Sequence, residues 1–330
     1  MSEVVNVEDL TKYYEPRTNP FDSILRKKKE LVKAVDGISF RIGEGRVFTL
    51  AGESGCGKTT TARILAKLVQ PTSGKIFFRG IDITDVDGEE LRSLRRKIQI
   101  IFQDPQASLS PRMKIGDAVG DPIDIHGLAE GEEKRALVLR MLEEVNLVPA
   151  DQFIDLYPHQ LSGGQRQRVA IARAMVLRPE FVIADEPVSM LDVSLSTAIL
   201  HLMLDLKSRF SLTYLFITHD LAVAKHISDE LAVMYMGRIV EAGEKSELFS
   251  HPMHPYTQAL LSAIPVPNPR RRRQQIELTG EVPSAVAVPT GCRFHPRCPS
   301  TFGKCKEVEP QLRDIGKGHM VACHLCSGPG

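Results

Sequence analysis

The amino-acid sequence predicts an α/β fold in which buried strands alternate with helices, and three observations carry that expectation. Apolar runs of strand length recur between Val4 and about Lys245, at 47–50 (VFTL), 181–184 (FVIA) and 214–217 (YLFI). Between them apolar residues repeat at helical spacing, at Val138, Met141, Leu142 and Val145, and again at Leu195, Ile199, Leu202 and Leu206. The first run also leads directly into a glycine-rich turn with a helix behind it. The 330 residues are 42% hydrophobic and 25% charged, enough apolar material for one large domain with an appendage. A net charge of +1 gives no reason to expect nucleic acid as a partner. No run approaches the roughly 18 to 20 apolar residues of a membrane helix, and MSEVVNVEDL lacks a signal pattern, so a cytosolic chain is expected.

The strand at 47–50 delivers the chain to Gly52, Glu53, Ser54, Gly55, Cys56, Gly57, Lys58 and Thr59, with Thr60 next, a match to G-x-x-x-x-G-K-[ST] in its strand-to-helix context. Glycines at 52, 55 and 57 let the backbone bend so that its N–H groups point inward, and the helix starting near Lys58 adds its positive end. These eight residues and Thr60 are the expected cradle for ATP phosphates. Lys58 would neutralise the β- and γ-phosphates, and the Thr59 hydroxyl would take one position on Mg²⁺. A P-loop alone names no function, since unrelated enzymes and switches carry one. The strand at 181–184 narrows the choice by ending in Asp185 and Glu186. The aspartate suits Mg²⁺ through water, and the glutamate can orient or deprotonate an attacking water. Without the P-loop, this acid pair would read as a solvated strand end.

Between these elements lies Leu161-Ser162-Gly163-Gly164-Gln165-Arg166-Gln167-Arg168, followed by the helix-like VAIARAMVL. This segment resembles the signature motif of ABC ATPases, and Ser162, Gly163, Gly164 and Gln165 at a helix start make a second phosphate site. The resemblance implies a P-loop NTPase (RecA-like) nucleotide-binding domain with a β-subdomain and a helical subdomain. It also implies that Ser162 to Gln165 face the ATP of a second subunit. By similarity, Gln103 matches the Q-loop and would sense Mg²⁺ and the attacking water, joining Thr59 and Asp185 around the metal. Ser189, Met190, Leu191 and Asp192 match the D-loop, with Asp192 communicating across the dimer, and His219 matches the switch histidine that contacts the γ-phosphate. Met190 departs from the small residue common there. Tyr14 is the candidate to stack on adenine, although Tyr13 is adjacent and either ring could pack in the core.

The strings IIFQDPQASLSPRM, DEPVSMLDVS, ITHDLAVAKHISD and HPMHPYTQALLSAIP resemble oligopeptide/dipeptide-uptake ATPases over nearly the whole chain. That resemblance implies an ATPase domain at 1–250, its helical subdomain at about 105–175, and an extension at 251–330 expected as a separate small module. It implies a paralogous ATPase partner, with a heterodimer favoured, two transmembrane permease subunits meeting the region after Gln103, and indirectly an extracellular substrate-binding protein. The location implied is the cytoplasmic face of the membrane, peripherally. Peptides lead as substrate, with nickel, glutathione or oligosaccharides open. The basic insertion at 16–30 and the arginines at 270–273 read as solvated or membrane-facing, and 265–269 as a proline-rich linker.

Six cysteines in a cytosolic chain point away from structural disulfides. Cys292, Cys298, Cys305 and Cys323 are spaced C-x5-C-x6-C-x17-C, and four thiolates can enclose an iron–sulfur cluster or Zn²⁺. These gaps are longer than those of common zinc knuckles, and the resemblance implies [4Fe–4S]. Cys326 is a possible substitute ligand. Two rival functions stay open: a soluble ABC ATPase outside transport, against which stands the absence of a second cassette or coiled-coil insertion, and an ATPase regulated by oxidation of the cysteine centre.

Overall fold

The computed structural model describes residues 2–15, 31–264, 276–278, 280, 283 and 286–326. The basic insertion at 16–30, the linker at 265–269 and the arginines at 270–273 lie outside them. The strands in chain order are β1 (Glu3–Tyr14), β2 (Val32–Gly43), β3 (Val47–Ala51), β4 (Ser73–Phe78), β5 (Ile81–Asp82) and β6 (Ile98–Ile101), then β7 (Phe181–Asp185), β8 (Thr213–Thr218), β9 (Glu230–Tyr235), β10 (Arg238–Glu244), β11 (Arg313–Asp314) and β12 (Met320–Val321). The helices are α1 (Lys58–Leu65), α2 (Gly88–Lys97), α3 (Pro105–Ser108), α4 (Ile115–His126), α5 (Gly131–Glu144) and α6 (Asp151–Ile154), then α7 (Gly163–Met175), α8 (Val193–Phe210), α9 (Leu221–Ile227), α10 (Lys245–Ser250), α11 (Pro255–Ser262) and α12 (Gly303–Glu307).

The main sheet runs β11-β12-β10-β9-β3-β8-β7-β6, and its members β9, β3, β8, β7 and β6 are parallel. Parallel strands must be covered on both faces, which is why β3, β7 and β8 read as unbroken apolar runs and are buried along their whole length. Their side chains alternate. Phe48, Leu50, Phe181, Ile183, Leu215 and Ile217 face one core with α1 and the β1–β2 pair; Val182, Ala184, Tyr214 and Phe216 face the other with α4, α5, α7 and α8. The apolar faces expected at 138–145 and 195–206 fall on α5 with its cap and on α8. A second, antiparallel sheet, β2-β1-β4-β5, covers the face carrying α1. Because the central strands are parallel and in register, with Ala51 opposite Thr218 and Asp185 opposite Ile217, the loops after β3, β7 and β8 open on one edge.

The extension is joined to the domain more closely than a separate module would be. Strand β12 pairs antiparallel with β10, Glu241 opposite Val321, and β11 follows outside it, so the C-terminal segment extends the main sheet. Glu241, fully buried, pairs with His319 at 2.7 Å and accepts from the N–H groups of Met253 (2.7 Å) and His254 (3.0 Å). Tyr256, Leu261 and Phe294 share a core with Val233, Tyr235 and Val240. These apolar side chains of the extension are thus buried against β9 and β10, in one core shared with the domain. No helix among the described residues is long and apolar enough to cross a membrane.

Candidate active site

The P-loop joins the end of β3 to α1. Gly52 and Gly57 have φ of +153° and +111°, and a Cβ would lie 2.2 Å from the Met234 carbonyl oxygen at the first and 2.1 Å from that of Ala34 at the second. Only glycine fits these two positions. Lys58 is buried, and its ammonium donates to the carbonyls of Gly52 (2.8 Å) and Glu53 (2.9 Å), which fixes it inside the loop. Cys56 turns its thiol inward, 3.7 Å from that ammonium, and burial pushes the thiol's pKa up. The Thr59 hydroxyl donates to Asp185 Oδ1 at 3.1 Å. Burial lifts the Asp185 carboxyl above the ordinary carboxylate range; Thr59 opposes the shift, and adjacent Glu186 adds to it.

Three sequence candidates that lie far apart in the chain meet at one carboxylate. Glu186 accepts from the Gln103 side-chain amide at 2.9 Å and lies 3.0 Å from His219 Nδ1, through the same oxygen, Oε2. Gln103 arrives from the loop after β6, Glu186 from the end of β7 and His219 from the end of β8. The Glu186 backbone is left-handed, φ +49°, a conformation that costs a non-glycine residue about 1 kcal/mol or more. Its N–H donates to the Ile217 carbonyl at 3.0 Å, and its own carbonyl accepts from the Ser189 hydroxyl at 3.0 Å. The expected metal set therefore divides, with Thr59 and Asp185 forming one pair while the Gln103 amide nitrogen is committed to Glu186.

Ser162 caps α7 in a reciprocal box: its hydroxyl accepts from the Gln165 N–H at 3.3 Å, and its N–H donates to the Gln165 side chain at 2.9 Å. Ser162 is exposed, and Gly163 and Gly164 follow in the first turn. Asp192 caps α8 by accepting from the Leu195 N–H at 3.0 Å and from Ser194, contacts that hold its carboxyl below the usual range. Met190 beside it is 64% exposed. Of the two tyrosines, Tyr13 is tied through its hydroxyl to Asp36, while Tyr14 is exposed with the Lys12 ammonium 5.1 Å from its ring centre.

Glu53 differs from the expectation placed on it as a phosphate donor. Its N–H donates to the Tyr256 hydroxyl at 2.9 Å, and its carboxylate is paired with Arg297 at 2.7 and 3.1 Å. In the sequence Tyr256 stands only within the string HPMHPYTQALLSAIP that carries the family resemblance, and Arg297 gives no signal beyond its place before Cys298. No disulfide joins the cysteines. Of the four expected ligands, Cys292 donates its backbone N–H to the Cys305 carbonyl at 2.8 Å, and burial, with the other three thiols adding to it, pushes the Cys292 thiol up to about 11. They do not form a ligand shell in this arrangement: among the described residues no group of three or more His, Cys, Asp or Glu side chains is placed to hold a metal.

Comparison with known proteins gives a consistent picture. The chain matches the ABC transporter family over residues 35–189 and the oligopeptide/dipeptide transporter C-terminal region over residues 240–305. It is 47% identical over 320 residues to the dipeptide transport ATP-binding protein DppF of Haemophilus influenzae, covering 97% of this chain and 96% of that one. With the oligopeptide transport ATP-binding protein AppF of Bacillus subtilis it shares 46% identity over 327 residues, 98% of each chain. Among solved structures, a dimeric post-hydrolysis state of the ATP-binding cassette MJ0796 bound to ADP and Pi is similar, with a TM-score of 0.63 and 31% identity over 73% of this chain and 98% of that one.

Proposed function

The chain belongs to the ABC transporter ATP-binding proteins, in their oligopeptide/dipeptide branch, and from that premise we propose that it hydrolyses ATP to drive the import of peptides. The observation that carries the reading is the Glu186 carboxylate, held between Gln103 and His219 beside Asp185, which is buried and bonded to the half-buried Thr59. Backbone N–H groups of the P-loop and the start of α1 bind the phosphates, and Lys58 neutralises them. Thr59, Asp185 and the amide oxygen of Gln103 are hard oxygen donors suited to Mg²⁺, which supplies charge compensation at the phosphate oxygens when bound. Glu186 orients a water and accepts its proton as the water oxygen bonds to the γ-phosphorus; the bond to the bridging oxygen breaks and ADP leaves with the electron pair. His219 steadies the carboxylate and contacts the γ-phosphate, and Tyr14 stacks on adenine.

The exposed start of α7 supports a sandwich in which Ser162 to Gln165 complete the site of a second, paralogous ATPase, with Asp192 at the junction. Two transmembrane subunits, fed by an extracellular binding protein, would receive the work, which places this chain peripherally on the cytoplasmic face. The isolated chain is expected to be mostly monomeric and slow, and to gain turnover when reconstituted with its partner ATPase and membrane subunits. Concentration-independent ATPase at full rate from a proven monomer would contradict the sandwich. A metal centre at Cys292, Cys298, Cys305 and Cys323, [4Fe–4S] or alternatively Zn²⁺, is supported by the closeness of the thiols but not by their arrangement, and no step depends on it. Anaerobically purified protein should contain about four irons per chain for a cluster. Stoichiometric zinc would replace that reading, and the absence of both metals would end it.

A further inference from the structure

One residue of the P-loop, Glu53, is held from three directions. Its carbonyl accepts from Lys58 Nζ at 2.9 Å, its N–H donates to the Tyr256 hydroxyl at 2.9 Å, and its carboxylate receives two N–H groups of Arg297 at 2.7 and 3.1 Å. The last two partners lie more than two hundred positions along the chain, in the C-terminal extension. Both are buried, and both lie against aromatic rings. The Tyr256 ring meets Tyr235 edge-on at 4.7 Å and Phe294 at 5.3 Å, and the Arg297 guanidinium stands 5.9 Å from the Tyr235 ring. Phe294 in turn sits between Cys292 and Arg297 in sequence, so one short segment anchors the aromatic group and carries the salt bridge.

A glycine-rich loop is flexible by composition, and a flexible loop loses conformational freedom each time it closes on phosphates. Fixing it beforehand raises affinity without any new contact to the ligand. A two-pronged guanidinium–carboxylate pair constrains direction as well as distance, and the hydroxyl of a buried tyrosine, shielded from water, gains by accepting the Glu53 N–H.

We propose that Tyr256 and Arg297 are positioning residues of the ATPase: the C-terminal extension clamps Glu53 and thereby holds Lys58 and the P-loop backbone in the shape that takes nucleotide phosphates. The proposal rests on the reading of the P-loop as an ATP site. Coupling of this kind is reciprocal, so nucleotide also steadies the extension.

The test is MgATP binding to the full-length chain by titration calorimetry, with melting temperatures recorded without nucleotide. Tyr256→Phe keeps the ring in its aromatic nest and removes only the hydroxyl; Arg297→Gln removes the salt bridge, and Arg297→Lys keeps the charge without the fork. Loss of the contact should weaken MgATP about 10-fold in Tyr256→Phe and in Arg297→Gln, with Arg297→Lys in between. The double variant Glu53→Gln/Arg297→Gln should bind no worse than the weaker single one, because both remove the same pair. Variants that melt earlier yet bind MgATP within about two-fold of the parent would reduce the contacts to a fold anchor and overturn the clamp. Should Arg297→Gln fail to fold, Tyr256→Phe decides alone. A parent chain that binds no MgATP would overturn the P-loop reading, and the clamp with it; normal binding by the parent and by every variant would overturn the clamp only.

Discussion

The starts of α1 and α7 are built from similar materials, small residues and glycines at the entry to a helix whose first N–H groups have no partner from a preceding turn, yet they are finished differently. At α1 the polar groups are answered by other parts of the chain: Lys58 by the loop carbonyls, Thr59 by Asp185, and Glu53 by Tyr256 and Arg297. At α7 the exposed Ser162 is answered from within its own helix, its side chain and N–H by Gln165 and its carbonyl by the Arg166 N–H. One helix start is thus a complete half-site with its own acid, histidine and glutamine nearby, and the other carries no chemistry of its own. On the sandwich reading proposed above, a chain built this way has one end of a reaction centre and takes the other from a second copy or a paralogue.

The largest expected effect breaks the complete side. Glu186→Gln preserves size and the acceptor facing Gln103 but removes the carboxylate charge, so turnover should fall by roughly 10² or more while MgATP still binds. Parent-rate hydrolysis in that variant would remove Glu186 as the base. A smaller effect probes the open side. Ser162→Ala should lower turnover of the assembled ATPase pair by about 10-fold, and the lost cap should cost α7 about 1 kcal/mol. MgATP affinity of the isolated chain should stay within about two-fold of the parent, since affinity resides at α1. A marked loss of affinity in the isolated chain would mean that the two helix starts serve one site within a single chain, and the comparison would collapse.

What could be read from the sequence follows the same division. The P-loop, the acid pair and the strands beneath them announce themselves because a buried parallel strand must be apolar throughout and a tight turn must be glycine, so local sequence dictates local structure. The convergence of Gln103, Glu186 and His219 was readable only through an ordered set of motifs, since none of these residues alone signals its partners. Strands β1 and β2 were not singled out: they are antiparallel and only partly buried, interrupted by polar residues and by register shifts. The link from Glu53 to Tyr256 and Arg297 was not legible at all, because a contact across two hundred residues leaves no periodicity. The cysteine spacing, by contrast, suggested a ligand shell that proximity alone does not build. Spacing along the chain limits which thiols can meet, but not how their side chains point.

A third helix start, that of α11, closes the comparison, because it is capped by a group that titrates. His254 is fully enclosed, its Nδ1 accepts from the Tyr256 N–H at 3.0 Å, and the Phe294 ring lies 5.6 Å away. Its own N–H is held by the buried Glu241 carboxylate, which also engages His319 and the Met253 N–H. Burial pushes the His254 pKa down from 6.5 to about 3, and an Nδ1 that accepts a hydrogen bond is consistent with a neutral ring. The folded state therefore binds fewer protons than the unfolded state between these two values, so stability rises with pH there. This contribution is intact above about 6.5 and is lost progressively as pH falls toward 3; at pH 5 the loss is about 2 kcal/mol. Replacing the ring by an amide that can still cap the helix, His254→Asn, removes the titration while keeping an acceptor for the Tyr256 N–H. Denaturant unfolding measured at pH 7 and pH 5 should then show a drop in the parent that exceeds the drop in His254→Asn by about that amount. Equal drops would show that His254 does not carry its proton balance through folding and that the α11 cap is no more closed than that of α7.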